Sequence, residues 1–389
     1  MNVLILLPYL PQTAPGQRFR IEQWARVLER SGVHVRLMSF ESKWLHAVRF
    51  AKGRHVEKAC AVLSCMLQQL ARIATLRREW DVVFLFRELL PVGPPLLEAL
   101  LVRKGMPVVY DFDDAIFLPN VSEANRRLGW LKQPQKASAI CRMSTHVTVG
   151  NRYLQAYALR YTPQVSVVPT TIDTEWYTMK DGVAMRGRPI LGWSGSLTTG
   201  QHLRTILPAL QRLRWRYDFR LKVIGGELEA VPGLEIECQP WRNETEVADL
   251  QSFDIGMMPL PDDPWSHGKC GLKALQYMAV GVPTVASPIG VNAEIIQDGT
   301  NGFLATTEQE WVEKLSRLLS DEPLRTTFAV EGRKTVEERY SAAVHAPRLL
   351  SILERIRQRA RDMEPTADIA AVAKSRGPSH EWETTEVLR

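Results

Sequence analysis

Short apolar runs alternate with helix-length amphipathic segments along almost the whole chain, and this rhythm limits the folds that the chain can adopt. Alternation of this kind is typical of parallel sheets wound with helices on both faces. It predicts strands at residues 3–7, 35–40, 82–86, 108–111, 147–149 and 165–168, and again at 190–193, 221–224, 234–237, 255–258 and 284–286. The sequence therefore predicts an α/β protein with two sets of parallel strands.

The two sets of strands are separated by a polar stretch at residues 180–188. The chain has 389 residues, which is more than one hydrophobic core usually supports, so its length also favours two domains. We expect two Rossmann-like, doubly wound parallel-sheet domains, over residues 1–180 and 189–345, that face each other across a cleft. A helix over 346–361 is expected to follow, where it can pack back on the first domain. The tail 362–389 has few apolar residues and is predicted to be disordered.

Charge is distributed unevenly along the chain. Residues 1–180 contain 24 Lys and Arg against 14 Asp and Glu, a net charge of +10, whereas the remainder contains 25 against 29, a net charge of −4. The segment from Lys43 to Arg78 has eight basic residues, one acid and apolar residues at roughly helical spacing. Two interpretations stay open: helices with solvated basic faces, or a surface that makes peripheral contact with an anionic membrane. No nucleic-acid partner is expected.

The five cysteines are odd in number and scattered, with neither zinc-like spacing nor the pattern of a disulfide framework. Free thiols fit a reducing compartment, so we expect a cytoplasmic protein, with peripheral residence at the inner face of the membrane as an alternative. The chain begins with an apolar run that lacks a basic leader, and this run is interpreted as a buried strand.

The loop after the first predicted strand lacks both the glycine pattern of a dinucleotide site and a P-loop, so a dinucleotide-dependent oxidoreductase is poorly supported. The loop contains Gly16, which lets a ligand approach the backbone, and Arg18, a fixed positive charge near a predicted helix N-terminus. These two residues suit a bound phosphate. An arginine without a ligand role is an equal alternative.

Three acids, Asp111, Asp113 and Asp114, follow the fourth predicted strand and so point towards the expected cleft. Such a cluster is costly to bury without partners. One possible partner is a divalent metal, which an Asp-x-Asp sequence binds in other enzymes. A second is an arginine network that includes Arg87, at the end of the neighbouring predicted strand. A third is a hydroxyl group of a sugar or an acceptor.

The second domain supplies two candidate positions for an anion. Its first strand is followed by Ser194, Gly195 and Ser196, small residues whose backbone amides can meet a diphosphate. Lys269 and Lys273 lie four residues apart at the start of a predicted helix and therefore share one face. Cations are normally disfavoured at a helix N-terminus, so this pair indicates a bound anion with more than one charge. A solvated pair of lysines is the alternative.

One set of residues in the second domain carries a family pattern. It comprises Pro259, Leu260, Gly271, residues 275–279 and 281–287, Gly290, Glu294 and residues 301–304. These residues resemble the donor site of retaining glycosyltransferase family 4, whose members have the GT-B fold, and looser similarity extends over most of residues 1–340. The resemblance implies transfer of a sugar from a nucleotide-diphosphate sugar to an unknown acceptor with retained configuration, in polysaccharide, glycolipid or glycosylated-metabolite synthesis. It implies no required metal and no other cofactor.

Three departures from the family pattern shape the expected site. The family's two glutamates, eight residues apart, fall on Gly268 and Gln276. Its Gly-Arg pair loses the arginine at Ser196, and the lysine that follows falls near Gln201. A histidine that the family places after an N-terminal strand aligns with Asp113. Positive charge is therefore missing on one side of the expected diphosphate and is supplied by lysines on the other.

The resemblance and these departures together give the expected roles. Asp113, Lys269 and Lys273 are predicted to be catalytic, with Asp113 orienting an acceptor hydroxyl or stabilising a cationic sugar and the lysines holding the diphosphate. Donor binding is assigned to Gly16, Arg18, Ser194, Gly195, Ser196, Lys269, Gly271, Lys273, Gln276 and Glu294, and the acceptor side to Arg87, Asp111 and Asp114. A catalytically inactive nucleotide-sugar-binding protein and a sugar-nucleotide epimerase or phosphorylase remain as alternative functions.

Overall fold

The computed structural model describes residues 1–49, 51, 53–76, 79–90, 93–118, 133, 135–185, 187–196 and 199–363. Its strands are β1 (Asn2–Leu7), β2 (His34–Ser39), β3 (Val82–Phe86), β4 (Val108–Phe112), β5 (His146–Val149), β6 (Val165–Val167), β7 (Ile190–Ser194), β8 (Arg220–Ile224), β9 (Ile236–Gln239), β10 (Ile255–Met258), β11 (Thr284–Ala286) and β12 (Phe303–Leu304). All eleven predicted strands are confirmed to within two residues at each end.

The strands form two parallel six-stranded sheets. The order is β2-β1-β3-β4-β5-β6 in the first sheet and β12-β11-β10-β7-β8-β9 in the second. The direction of winding reverses between β1 and β3 and again between β7 and β10. In open sheets of this kind, ligands bind beyond the carboxyl ends of the strands at such a reversal. The fold therefore indicates a site at the carboxyl ends of β1 and β3 in one domain and of β7 and β10 in the other.

Helices cover both faces of each sheet. They are α1 (Pro15–Gln17), which continues through a π-helical turn (Arg18–Glu22) into α2 (Gln23–Arg30), then α3 (Lys43–Val48), α4 (His55–Ala74), α5 (Leu96–Arg103), α6 (Gln135–Met143), α7 (Arg152–Ala158), α8 (Gly200–Arg204), α9 (Leu207–Arg214), α10 (Glu246–Gln251), α11 (Pro264–His267), α12 (Leu272–Ala279), α13 (Asn292–Ile295), α14 (Glu308–Ser320), α15 (Glu322–Arg339) and α16 (Ala342–Met363).

The central strand β1 shows why these sheets need helices on both sides. Val3, Ile5 and Leu7 enter one buried cluster with α2 and α16, whereas Leu4 and Leu6 enter the cluster on the opposite face, which includes residues of α4 and α5. A parallel strand that is buried on both faces reads as a continuous apolar run. The same arrangement explains the uninterrupted apolar sequence of β3.

The last helix returns from the second sheet to the first. Ile172 N donates a hydrogen bond to Tyr340 O at 2.8 Å, and Ala342 N donates to Ile172 O at 2.9 Å, so the two crossings between the domains lie side by side. Beyond this point α16 buries Leu349 and Leu353 in the cluster that contains β1 and β3. The helix expected over 346–361 thus starts earlier than its sequence pattern indicated and packs on the first domain. The part of the predicted disordered tail from residue 364 onwards lies outside the described residues.

The basic segment contains α3 and α4, with Lys52, Arg77 and Arg78 outside the described residues. Ser42 caps α3 by accepting a hydrogen bond from Leu45 N. Within the described residues, no helix combines the length and the apolar character that a bilayer crossing requires.

Candidate active site

The carboxyl edges of the two sheets face each other. Arg18, shortly after β1, donates from Nη2 to Oε2 of Glu246 at 2.7 Å, and Lys269, in the region that follows β10, donates from Nζ to Oδ1 of Asp114 at 2.7 Å. Both bonds join the N-terminal domain to the C-terminal domain. Residues that follow β1 and β10, two of the strands at which the winding reverses, therefore lie between the domains.

Arg87 organises the acidic run on the N-terminal side. Its Nη2 donates to Asp113 Oδ1 at 2.5 Å and to Asp114 Oδ2 at 2.7 Å, and its backbone has a φ of +53°, a conformation uncommon for residues other than glycine. Burial alone would raise the pKa of Asp114, but Lys269 and Arg87 hold it below its usual range. Burial would lower the pKa of Arg87, but Asp113 and Asp114 raise it. The acids are thus neutralised by cations, which favours the arginine-network interpretation.

Asp111 does not reach the cleft, and its expected acceptor-side role is not supported by its position. Its side chain is fully buried and ion-paired with Arg20 of the π-helical turn, which also donates from Nε to Oδ2 at 3.1 Å. Thr148 Oγ1 donates to Asp111 Oδ1 at 2.7 Å. Asp113 lies beyond the end of β4, where the chain has left the strand, and its partner is Arg87 rather than Arg20. Among the described residues, no group of three or more His, Cys, Asp or Glu is arranged to hold a metal ion.

Gly16 was expected to leave room for a ligand, but the space beside its Cα is taken by the acidic network. A Cβ atom at this position would lie 2.7 Å from Asp113 Oδ2 and 3.0 Å from Arg87 Nη2. Glycine is required there so that the Arg87–Asp113 pair can pack against the loop after β1. The position of Gly16 is therefore explained by protein packing alone.

The amides of the turn after β7 are already used within the protein, contrary to the expectation that they are available to a diphosphate. Ser194 N donates to Tyr277 Oη at 2.8 Å, Gly195 N to Ile224 O at 2.9 Å, and Ser196 N to Thr199 Oγ1 at 2.9 Å. Gly195 has a different function, since a Cβ there would meet the Trp193 ring at 2.3 Å. This turn shapes the floor of the site by holding the ring of Trp193.

Lys273 lies above that floor. Its Nζ is 5.5 Å from the centre of the Trp193 ring, and it makes no hydrogen bond or ion pair within the part of the chain that the structure describes. Burial, and then the charge of Lys269, lower the pKa of Lys273 to about 8, against the opposing effect of Asp114. A desolvated lysine without an anionic partner is an unsatisfied charge. Apart from the Trp193 ring, the part of the chain that the structure describes gives this charge no direct partner, and an anion beside it would supply one.

The start of α12 adds to this anion site. Gly271, the residue before the helix, has a φ of +71°, and a Cβ there would lie 2.2 Å from Ile295 Cδ1, so both the backbone and the space require glycine. The first amides of a helix have no intrahelical acceptor and carry a partial positive charge. Two lysines and a helix N-terminus thus come together, an arrangement suited to phosphate groups.

Gln276 belongs to a buried polar network that the sequence did not reveal. Its Nε2 donates to Glu246 Oε1 at 3.2 Å, and Glu246 also accepts from Tyr177 Oη, from Trp241 Nε1 at 2.8 Å and from Arg18. Arg18 is therefore neutralised by Glu246, although its buried Nη1 has no hydrogen-bond partner among the described residues. Glu246 is therefore a buried acid of the site that sequence analysis did not identify.

Two further residues differ in their relation to the site: His202 lies near its lysines, and Glu294 lies apart from the other candidates. His202 of α8 is 5% exposed, and burial followed by the charges of Lys273 and Lys269 lowers its pKa to about 4, so its imidazole is neutral. Sequence analysis missed His202 because nothing local distinguishes it. Glu294 lies exposed on α13, where its charge acts on Tyr340, and no hydrogen bond joins its side chain to the other candidates among the described residues.

The seam between the domains explains why glycine stands at 268. A Cβ on Gly268 would lie 2.7 Å from Ala115 Cβ and 2.9 Å from Ala115 N across the interface. Asn151 Nδ2 strengthens this seam by donating to His267 O at 3.2 Å and to Lys269 O at 3.1 Å. A glutamate at 268 is incompatible with this close approach.

Replacing Gly268 by alanine is expected to weaken the seam, because overpacking costs about 1–3 kcal/mol. Small-angle scattering should show a larger radius of gyration for this variant. Gly200→Ala is the matched control, because the nearest atom to a Cβ there is Glu227 O at 3.6 Å, an ordinary contact. An unchanged radius of gyration for Gly268→Ala would contradict the assigned contact.

The sequence was compared with protein families and the fold with solved structures. Residues 188–321, which contain the lysine pair and α12, match the family described as Glycosyl transferases group 1. The chain carries a group 1 glycosyltransferase domain. The chain as a whole has two Rossmann-like domains that face each other across a cleft, and this architecture is the GT-B fold.

The chain is also similar to individual proteins, to some in sequence and to others in fold. A D-inositol 3-phosphate glycosyltransferase from Stackebrandtia nassauensis is 27% identical over 196 residues, which covers 43% of this chain and 43% of that protein. Sucrose-phosphate synthase from Thermosynechococcus elongatus superposes with a TM-score of 0.67 at 15% identity, over 91% of this chain and 98% of that chain. Anabaena HepE in complex with UDP and glucose superposes with a TM-score of 0.60 at 15% identity, over 90% and 99%. The chain spans less than half the length of the curated relatives it matches.

Proposed function

We propose that the protein transfers a sugar from a nucleotide-diphosphate sugar to an acceptor hydroxyl with retention of configuration and without a required metal. The observation that carries this proposal is Lys273, a half-buried lysine without an ion pair in the described residues, beside Lys269 and the start of α12. A nucleoside diphosphate is a multiply charged anion of the kind that this site lacks. The solved structure of Anabaena HepE with UDP and glucose, on the same fold, supports this choice of ligand.

The proposed chemistry is electrostatic. Negative charge develops on the diphosphate as the bond to the sugar breaks, and preorganised cations that are shielded from water stabilise it strongly. Lys273 and Lys269 supply such charge from the C-terminal domain. When Lys269 binds the diphosphate, Asp114 retains Arg87 as its partner, so the acid is not left without a cation.

Two polar groups fit the remaining parts of the substrates. The amide oxygen of Gln276 has no hydrogen bond among the described residues, because Nε2 alone contacts Glu246 and Tyr177, and we assign it to a ribose hydroxyl. Asp113 is held by Arg87 at the N-terminal edge of the cleft. We assign it to orient the acceptor hydroxyl or to stabilise positive charge on the sugar.

A catalytically inactive nucleotide-sugar-binding protein is the second candidate. The observation that favours it is the turn after β7, where the family's arginine is Ser196 and the amides of Ser194, Gly195 and Ser196 are bonded within the protein. Such a protein would keep donor affinity and lack transfer.

A two-stage experiment separates these functions. Nucleoside diphosphates and their sugars are first screened by thermal shift, since a ligand that binds only the folded state raises its apparent stability. The best donor is then incubated with the enzyme and candidate polysaccharide, lipid and small-molecule acceptors, and the product anomer is read by NMR with and without a chelator. We expect a retained anomer in both conditions. Binding without transfer or hydrolysis would favour the inactive protein, and an inverted product would overturn retention.

The proposed cellular compartment rests on the state of the cysteines. All five cysteines are free, and Cys65, Cys141 and Cys270 are buried. Free thiols persist in reducing compartments, so we propose that the enzyme acts in the cytoplasm.

A further inference from the structure

The outward face of α4 carries a continuous apolar stripe. Val56, Leu63, Leu67 and Leu70 are 79%, 51%, 56% and 44% exposed. Together with Cys60 they follow each other at intervals of three or four residues, which places them on one side of the helix, and the stripe extends over about 20 Å.

The stripe is not needed to hold α4 on the domain. The opposite side of the helix buries Ala61, Cys65, Gln69 and Ile73, and Gln69 Nε2 donates to Ser39 O at 2.6 Å. The helix is therefore already anchored by its inner face. Contiguous exposed apolar surface of this kind marks an interaction site in proteins that are otherwise well packed.

Charge around the stripe identifies the kind of partner. Lys43 and Arg54 lie exposed before α4, and exposed Arg72 lies near its end. Arg54 also pairs with Glu57 at 3.4 Å, and Arg72 Nη1 donates to Ser39 O at 3.5 Å. Arg36, on the edge strand β2, lines the same cavity of about 570 Å³ as Arg72. Among described residues of the segment 43–76, Glu57 is the one acid. The outward stripe itself has no charged residue, and the described residues of the segment 43–76 contain five Lys and Arg against this one acid.

Two occupants fit an apolar helix face, and the cations distinguish them. If two copies packed through α4, parallel helices would place Arg54 beside Arg54, and antiparallel helices would place Arg54 beside Arg72. Like charges repel in both arrangements. An anionic bilayer accepts both features, because the apolar face enters the boundary of the acyl chains while basic residues contact anionic headgroups.

We propose that α4 docks the N-terminal domain on a membrane surface that contains anionic lipid, with the stripe from Val56 to Leu70 in the interface. The docking is peripheral and concerns a surface away from the interdomain site. It therefore holds or fails independently of the proposed transfer reaction.

The two exposed cysteines provide a direct test with an internal control. Cys60 lies in the stripe, whereas Cys238 lies on β9 of the C-terminal domain. The full chain is labelled at one of them with an environment-sensitive fluorophore, the other being replaced by serine. We expect a blue shift of the Cys60 label with vesicles of phosphatidylcholine and phosphatidylglycerol, a weak one with phosphatidylcholine alone, and none for the Cys238 label. No shift at Cys60, or equal shifts at both cysteines, would overturn the proposal.

Variants test the stripe by vesicle co-sedimentation. Leu63→Asp with Leu67→Asp should lower the bound-to-free ratio at least about tenfold, because two apolar side chains leave the interface. Val330→Asp, on an exposed position of α15 in the other domain, is the matched control. Light scattering tests the competing occupant, a second copy of the chain. The membrane proposal would be rejected in favour of a dimer if the wild type had twice the monomer mass, the stripe variant had the monomer mass, and neither bound vesicles.

Discussion

Replacing Lys273 by alanine is expected to lower kcat/KM for the sugar donor by about 100- to 1,000-fold, the usual effect of removing one preorganised group that stabilises developing charge. The physical reason is that Lys273 is the candidate cation without an ion pair among the described residues, whereas Arg18, Arg87 and Lys269 are already bonded to carboxylates. Initial rates of transfer over a range of donor concentrations measure the effect.

The control for this variant is Lys334→Ala, which removes an exposed lysine of α15 in the same domain and should leave the rate unchanged. Thermal unfolding of both variants checks that the fold is preserved. If Lys273→Ala kept wild-type turnover, the anion site would have to be placed elsewhere.

The same lysine predicts a dependence on pH. Burial and the nearby charge of Lys269 lower the pKa of Lys273 to about 8 in the free protein, so the side chain loses its charge as pH rises through that value. Because an anion needs the charged form, kcat/KM should be level below about pH 7 and should fall above pH 8. Lys273→Arg should abolish this fall, since a guanidinium remains charged throughout the range. An identical alkaline fall in the arginine variant would assign the titration to another group.

The fold was largely predictable because short apolar runs alternate with helix-length segments, and eleven of the twelve strands were predicted from this rhythm. The exception, β12, contains only Phe303 and Leu304 and is defined by its pairing with β11. Two residues are too few to show any period, so this strand follows from tertiary contact alone. The start of α16 likewise depends on a tertiary contact, the hydrogen bond from Ala342 N to Ile172 O, which has no local signal in the sequence.

The site was predictable only as a region. Strand ends showed that Asp113, Lys269 and Lys273 belong to the cleft, because carboxyl ends of parallel strands share one edge. They did not show which polar groups form hydrogen bonds or ion pairs with each other. The amide of Ser194 bonds a tyrosine 83 residues away, and Arg18 bonds Glu246, 228 residues away. Pairings over such separations have no local signal, so residues expected to be free were found bonded and Glu246 was missed.

Removing the carboxylate of Asp111 is expected to be the most damaging change to stability. Arg20 and Asp111 are both completely buried, and Arg20 also donates from Nη1 to the carbonyl of Val168. Burial raises the pKa of Asp111, and its bonds to Arg20 and Thr148 only partly offset that effect. In Asp111→Asn the buried guanidinium keeps its charge and loses its counterion, and breaking such a pair costs about 3–5 kcal/mol.

The desolvation argument makes a sharper claim for the double variant Arg20→Met with Asp111→Leu. Because it buries no charge, it should be less destabilised than Asp111→Asn, although it changes more atoms. Urea unfolding followed by tryptophan fluorescence measures the three proteins, with Arg30→Met as the control for an exposed pair. Arg30 and Glu175 have side chains 68% and 75% exposed, so this loss should stay below about 1 kcal/mol. A double variant that unfolds more easily than Asp111→Asn would mean that the ion pair itself stabilises the domain, through its bonds to Val168 and Thr148.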